Sequence, residues 1–189
     1  MLSQEIRSQL AERFSMTVGL LGSESDRGAA IVGAALVEVA LDNALKKYLI
    51  PPSDQKGDFL DGRDFTFALK IDLAYRTGLI RPHIRKAFHQ IRHIRNGFAH
   101  DPYHQGFGDA AIRDRVLDLC ELTHDFIETL IETLRALNQG CIFSGAESGS
   151  SRALVQALGV RGAFDIVVAI HCAGLEYMYG DVEPIRPLA

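Results

Sequence analysis

The length, composition and charge of the chain exclude several classes of protein. With 189 residues, 47% of them hydrophobic and 23% charged, and a net charge of −4, the sequence is typical of one globular domain and not of a disordered chain. No apolar run is expected to reach the roughly 18 residues of a membrane-spanning helix, and the N-terminal segment MLSQEIRSQLAERFS lacks the apolar stretch of a signal peptide. We therefore expect a cytoplasmic protein with no membrane partner.

Helical periodicity begins near the N-terminus and recurs up to Gly78. It predicts a short helix over residues 3–14 and a longer one over 24–49, opened by Ser23 or Ser25 and stopped by Pro51-Pro52. We expect the longer helix to bury Ile31, Val32, Ala35, Leu36, Val39 and Leu45. A polar linker follows. Asp64 then caps a helix that ends near Thr77, with Gly78 just beyond its end.

The second half of the chain shows the same periodicity. Pro82 fits the first turn of a helix whose inner stripe is Ile84, Phe88, Ile91, Ile94 and Phe98. Asp109 opens a helix predicted to run unbroken to residue 138, which makes it on the order of 45 Å long. A helix of this length could form a dimer seam or be the central helix of a bundle. A short helix over 151–158 and a last one over 162–179 follow, the latter burying Phe164, Val167, Val168, Ile170 and Leu175.

These elements predict an all-α helical bundle with a long central helix. We expect residues 1–138 to form the core of the bundle and residues 139–189 to be a C-terminal helical extension packed on the same domain.

The chain offers no recognisable metal or cofactor motif. Cys120, Cys141 and Cys172 are widely spaced and form no CxxC pair, which indicates free thiols. His171 and Cys172 are adjacent on a helix and therefore about 100° apart, too far to share a metal. We interpret His171 as a hydrogen-bonded core histidine and predict neither a metal nor a cofactor.

One segment carries a concentration of positive charge. From Leu73 to His100 there is no Asp or Glu, while Arg76, Arg81, Arg85, Lys86, Arg92 and Arg95 lie within it, together with four of the seven histidines. This segment is either a phosphate-facing surface, with Arg85, Lys86 and Arg92 as candidate phosphate ligands, or a solvated face paired with acidic neighbours. Glu38 and Asp42 are one turn apart and could orient Arg92 or Arg95, or form an ordinary charged stripe.

The segment ends in Arg95-Asn96-Gly97-Phe98-Ala99-His100. A structural interpretation accounts for it without chemistry: Arg92, Arg95 and His100 satisfy the negative C-terminal end of a helix, Asn96 helps to cap it and Phe98 anchors it in the core. Asp101 precedes Pro102, which favours a helix end close by.

The same residues carry a resemblance. Arg, a polar residue, three variable residues and His resemble the motif of the HEPN superfamily, small all-helical dimers of which many are metal-independent ribonucleases. The segments GAALVEVALDNALKKYLI, FTFALKIDLAYRTGLI and IRHIRNGFAHD also resemble the mannitol operon repressor family, over about residues 25–135.

The HEPN resemblance implies a candidate catalytic set of Arg95, Asn96 and His100. His100 would take the proton of an RNA 2′-hydroxyl or give one to the leaving oxygen, and Arg95 would bind the phosphate. Asn96 would orient the substrate or the imidazole of His100. The product would be a 2′,3′-cyclic phosphate. On an ideal helix Arg95 and His100 are about 140° apart. They would converge only if the helix ended near Gly97, or if two subunits met across a two-fold axis.

Three functions stay open at this point. The first is a cytoplasmic regulator of the mannitol operon repressor type, acting through a protein partner because no helix-turn-helix with a polar recognition helix is present. The second is a dimeric ribonuclease of the HEPN type acting on RNA. The third is a module that binds a nucleotide or an acidic partner through its basic segment.

Overall fold

The chain is all-α in the computed structural model, which describes residues 4–52, 58–100, 106–136, 151–178 and 183–186. The helices of these residues, with a short 3₁₀ helix at Phe59–Asp61, are α1 Gln4–Gly22, α2 Asp26–Tyr48, α3 Phe67–Arg76, α4 Pro82–His100, α5 Ala110–Leu122, α6 His124–Ala136 and α7 Ser151–Met178. The expected boundary at 138/139, the Asp101-Pro102 dipeptide and Cys141 lie outside the described residues.

Local chemistry explains most of the helix ends. The hydroxyl of Ser25 accepts from the N–H of Gly28 at the start of α2, and the carboxylate of Asp109 accepts from the N–H of Ala111 at the start of α5. Both caps agree with the sequence. The cap of α3 is Thr66 rather than Asp64, because the chain first forms the 3₁₀ turn. Gly78, with φ of 78°, follows the end of α3 as predicted.

The C-terminal helix α7 lies at the centre of the bundle, against α1, α2 and α5, and α4 packs against α2, α3 and α5. Five apolar side chains predicted to be buried in α7 are buried: Phe164, Val167, Val168, Ile170 and Leu175. Inside α7 the backbone of Gly159 has a φ of 72° and a ψ of 169°, which are not helical angles and kink the helix. The kink agrees with the two helices predicted over 151–179.

The kink in α7 is held by one arginine. Arg161 donates from Nε to Asp165 and from Nη1 to Asp26, both at 2.9 Å, and from Nη2 to the carbonyl of Leu21 at 2.6 Å. The guanidinium thus fixes the start of the buried part of α7 to the turn between α1 and α2.

The face that α2 buries differs from the prediction. Ile31 and Val39 are 41% and 57% exposed, while Ala29, Ala30, Ala34, Val37 and Leu41 are buried together with Gly33. The reason is close helix packing: a Cβ on Gly33 would lie 3.2 Å from Phe164 of α7. The stripe of small residues lets the two backbones approach, and Ile31 and Val39 point outward while Val37 and Leu41 stay buried.

The predicted unbroken helix over 109–138 is wrong in its middle. The chain leaves helical geometry at Thr123, with φ of −109° and ψ of 6°, and resumes as α6. The hydroxyl of Thr123 donates to the carbonyl of Leu119 at 2.8 Å and lies 3.2 Å from Nε2 of His171. This long-range contact holds Thr123 at the junction between two shorter helices.

Two helices are long and apolar enough to cross a membrane. The windows in Asp26–Tyr48 and Ser151–Tyr177 have mean hydropathies of 1.6 and 1.7, and half of each window is buried inside the bundle. Charged residues interrupt both helices, so neither is an uninterrupted apolar run. Central helices of water-soluble bundles share this length and composition, and α2 and α7 pack against each other here.

Candidate functional site

Helix α4 carries the motif and places its two key residues apart. It is helical from Pro82 to His100, through Gly97, so the helix does not end early enough to bring Arg95 and His100 together. Five residues of helix separate their directions by about 140°. Arg95 and Asn96 are half-buried and His100 is exposed. Within one chain, the candidate catalytic set therefore does not share a face.

Another set of α4 side chains does share one. At 100° per residue, Lys86, His89, Arg92, His93, Asn96 and His100 fall within an arc of about 120°, and we call this arc the α4 outer face. The opposite side of α4 is the predicted stripe Ile84, Phe88, Ile91, Ile94 and Phe98, each at most 6% exposed. The core fixes the rotation of α4, and the rotation turns these six polar side chains away from the core.

A groove runs between the α4 outer face and α5, with a volume of about 580 Å³. From α4 it is lined by Lys86, His89, Gln90 and His93, and from α5 by Arg115, Asp118, Glu121 and Leu122. Gln90 spans the floor, donating to Asp118 and accepting from Arg115, each at 3.5 Å. The groove has a mainly cationic α4 side and a mixed α5 side.

His93 lies among several cations in this groove. Although much of its ring is exposed, partial burial and the nearby cations Arg92, Arg115 and His89 hold the pKa of His93 below its usual value. Cations lower a histidine pKa because they disfavour a second positive charge. An anion bound here would reverse that effect.

The candidate phosphate ligands Arg85, Lys86 and Arg92 differ in availability. Nε of Arg85 donates to Asp72 of α3 at 2.7 Å and its guanidinium lies 5.2 Å from the centre of the Tyr75 ring. Lys86 is exposed in the groove. Arg92 has a buried Nε without a hydrogen-bond partner among the described residues. Arg85 is therefore the least suited of the three to bind an external anion.

Asp72 neutralises part of the cationic segment. It accepts from Arg85 at 2.7 Å and lies 3.3 Å from Nε2 of His89. Burial alone would raise the pKa of Asp72, but the hydrogen bonds and charges of Arg85 and His89 hold it below the usual value. The prediction of a face paired with acidic neighbours is thus correct for Arg85 and His89.

The carboxylates of Glu38 and Asp42 pair with lysines. They do not orient Arg92 or Arg95, and they are not a purely solvated stripe. Asp42 binds Lys70 of α3 at 2.8 Å and Lys46 at 2.9 Å, and Glu38 lies 3.5 Å from Lys70. Lys70 is only 9% exposed. Both expectations for this pair are wrong, because the sequence does not reveal that a lysine of α3 lies against the acidic turn of α2.

The capping interpretation of the motif receives partial support. Phe98 is 1% exposed and anchors the end of α4 in the core. Among the residues that the structure describes, Arg92, Arg95 and His100 donate no hydrogen bond to the last carbonyls of α4. Of these three basic residues only His100 lies in the last turn of the helix, where a positive charge would be favoured by the negative helix end.

The described residues contain no group of three or more His, Cys, Asp or Glu side chains able to hold a metal. Burial raises the pKa of the Cys120 and Cys172 thiols to about 12, so neither is a ready nucleophile. His171 is 3% exposed and bonded to Thr123, which confirms the predicted core histidine.

Sequence reasoning missed His89, Gln90 and His93 of α4 and Arg115 of α5 as lining residues. A signal for His93 was present: Lys86, His93 and His100 recur at intervals of seven, which keeps them on one side of a helix. No such signal exists for Arg115, whose position depends on how α5 packs beside α4.

Comparison of the chain with protein-family models, with curated proteins and with solved structures found no match. The likeness to the HEPN and mannitol operon repressor families therefore depends on the quoted residues, and the functional assignment depends on the groove beside α4.

Proposed function

We propose that the chain is a cytoplasmic regulatory protein, of the kind the mannitol operon repressor family represents, which acts by binding an acidic segment of a partner protein. The binding surface is the α4 outer face together with the groove against α5. The transcriptional setting comes from the family resemblance. The binding mode comes from the charges that line the groove, and the single observation that carries it is that Lys86 of α4 and Arg115 of α5 line the same groove.

Binding is favoured over catalysis by the direction of the motif side chains. A general base and a phosphate-binding cation must both reach the same phosphodiester. Arg95 and His100 of one chain point about 140° apart on continuous helix. By contrast, Lys86, His93 and His100 share one side of α4, where their basic side chains form a row, as an elongated ligand requires.

An acidic polypeptide fits the groove better than a single-stranded nucleic acid. Nucleic-acid grooves usually combine positive charge with aromatic stacking surfaces, but Phe88 and Phe98 of α4 are buried. Asp118 and Glu121 on the α5 side would repel a backbone with a phosphate at every nucleotide. A peptide can place carboxylates against Lys86 and His93 and its own N–H donors against Asp118.

The test is a fluorescence-anisotropy titration with a labelled polyglutamate peptide. We expect binding that weakens steeply between about 50 and about 200 mM salt, because exposed charges are screened. Lys86→Ala should weaken binding several-fold. Lys47→Ala is the matched control, an exposed lysine on α2 outside the groove. Equal effects of the two substitutions, or tighter binding of a single-stranded RNA of equal charge, would remove the proposal.

A second candidate is the HEPN-type ribonuclease, working as a homodimer. It is favoured by one observation: His100 is exposed and Arg95 only half-buried at the end of α4. A second copy could therefore bring its own Arg95 near this His100 across a two-fold axis. RNA cleavage in the presence of EDTA that requires both side chains would establish it in place of the first.

A further inference from the structure

A second cavity lies on the other side of α4, away from the outer face. It has a volume of about 130 Å³ and opens beside Gly78 and Arg81 in the turn between α3 and α4. Its apolar wall consists of Leu79, Ile84, Phe88, Phe126 and Leu175. An engineered apolar cavity of about 150 Å³ is large enough to hold benzene. The space therefore matches one aromatic ring.

The wall of this cavity contains one buried polar ring, that of His171. Its Nε2 lies 3.2 Å from the hydroxyl oxygen of Thr123. That hydroxyl has a single proton, which it donates to the carbonyl of Leu119 at 2.8 Å. Nε2 of His171 must therefore carry the proton and donate to Thr123.

The protonated Nε2 fixes the character of the other ring nitrogen. A neutral imidazole has one N–H donor and one lone-pair acceptor, so Nδ1 of His171 is the acceptor. Burial and the charge of His83 lower the pKa of His171 to about 3, which keeps the ring neutral at physiological pH. The acceptor of the His171 ring is therefore Nδ1, and this ring lines the cavity among apolar side chains.

Aromatic edges surround the same histidine. The ring of Phe88 meets His171 edge-on at 5.0 Å with an interplanar angle of 80°, and the ring of Phe126 lies at 6.0 Å. Aromatic rings attract each other in edge-to-face and tilted arrangements at such distances. A ligand ring in the cavity could make the same kind of contact with Phe88 or Phe126.

We propose that this cavity binds a small monocyclic aromatic molecule carrying an O–H or N–H donor, with the donor directed at Nδ1 of His171. The ring of the ligand fills the space between Phe88, Phe126 and Leu175. The exposed Arg81 lies at the opening, where polar substituents of the ligand would reach water. The site is separate from the groove on the α4 outer face and does not depend on the function proposed for it.

The test uses the full chain with phenol and toluene, which have similar shapes but differ in the donor, and follows binding by NMR titration. Phenol should bind about five- to tenfold more tightly than toluene, the size of one neutral hydrogen bond. His171→Phe, which removes the acceptor but keeps a ring, should abolish that preference. Equal affinities of phenol and toluene for the unmodified chain would overturn the role of His171.

A cavity-filling variant tests the location independently. A Cβ at Gly174 would meet only Phe126, at an ordinary 3.9 Å, so Gly174→Val should extend into the cavity without disturbing the fold. It should eliminate phenol binding, whereas Gly19→Val, where nothing lies within 4 Å of the new Cβ, should leave it unchanged. Phenol binding that survives Gly174→Val would overturn the proposal, and so would the absence of phenol binding by the unmodified chain. Both outcomes can be measured even if the His171→Phe variant does not fold.

Discussion

Arg95 and His100 lie five residues apart on the unbroken helix α4 and point about 140° away from each other. The proton-transferring group and the phosphate-binding group of the motif therefore do not converge within one chain. This relationship separates the two leading functional hypotheses, because it allows catalysis only between chains and leaves binding within one chain unaffected.

The first prediction concerns RNA cleavage. Purified protein incubated with single-stranded RNA and EDTA should leave the RNA intact over a broad pH range, because Arg95 and His100 of one chain point about 140° apart on continuous helix. His100→Ala should leave the RNA equally intact. It should change the free energy of unfolding by no more than about 1 kcal/mol, since the side chain is exposed. Cleavage that disappears in both His100→Ala and Arg95→Ala would instead establish the dimeric ribonuclease.

The second prediction concerns the buried ion cluster between α2 and α3. Asp42→Asn should cost about 2–4 kcal/mol, because Lys70, with a side chain only 11% exposed, loses its partner at 2.8 Å. Asp61→Asn should cost less than about 1 kcal/mol, because Asp61 is 63% exposed and its ion pair with Lys46 lies at the surface. Urea unfolding of both variants measures the difference, and equal costs would contradict the role given to Lys70.

The pH dependence of the same cluster has a definite sign. Burial alone would raise the pKa of Asp42, but the hydrogen bonds and charges of Lys70 and Lys46 lower it below 3.8. Its stabilisation is therefore fully present above pH 3.8 and is lost as the pH falls further through the lowered folded-state pKa. Asp42→Asn should remove that part of the acid destabilisation.

The third prediction concerns His171. Its pKa is about 3 when folded and near 6.5 when unfolded, so the unfolded chain binds the extra proton between these values. Stability should be full above pH 6.5 and fall below it, by up to about 1.4 kcal/mol per pH unit. Between pH 7 and about pH 5, where carboxylates stay ionised, His171→Phe should flatten the profile and His124→Gln, at an exposed site, should not. Parallel profiles would show that His171 charges without unfolding.

The fourth prediction concerns the close contact of α2 with α7. A Cβ on Gly33 would lie 3.2 Å from Cε1 of Phe164 and 3.4 Å from Cγ2 of Val168. Gly33→Val should therefore destabilise the protein by about 1–3 kcal/mol through overpacking. Gly19→Val, on the exposed side of α1, should change stability little. Thermal unfolding of the two variants compares them, and a Gly33→Val protein as stable as the Gly19→Val control would disprove the close packing.

The sequence predicted α4 well and α2 poorly for a physical reason. In α4 every third or fourth residue is large and apolar and the rest are polar, so only one face can be buried. In α2 every residue from Gly28 to Leu41 except Glu38 is apolar. The choice between the branched face of Ile31 and Val39 and the small face of Gly33 then depends on the shape of α7, which periodicity does not contain.

Long-range contacts account for the other differences. The break at Thr123 depends on a contact with His171, which is 48 residues away, and the acidic turn at Asp42 depends on Lys70 of another helix. The groove likewise needs α5 beside α4. The basic composition of residues 73–100 left open both a phosphate-facing surface and a face paired with acidic neighbours. The distinction between the paired Arg85 and the available Lys86 required the position of Asp72.

The titration of His93 tests most directly whether the groove beside α4 receives a carboxylate-bearing partner. Partial burial and the cations around His93 lower its pKa in the unbound protein, and a bound carboxylate would favour the imidazolium instead. NMR titration of the histidine rings with polyglutamate peptide should therefore raise the pKa of His93 and leave the exposed ring of His124 unchanged. An unshifted His93 in the presence of bound peptide, or equal shifts of His93 and His124, would contradict the proposed binding site.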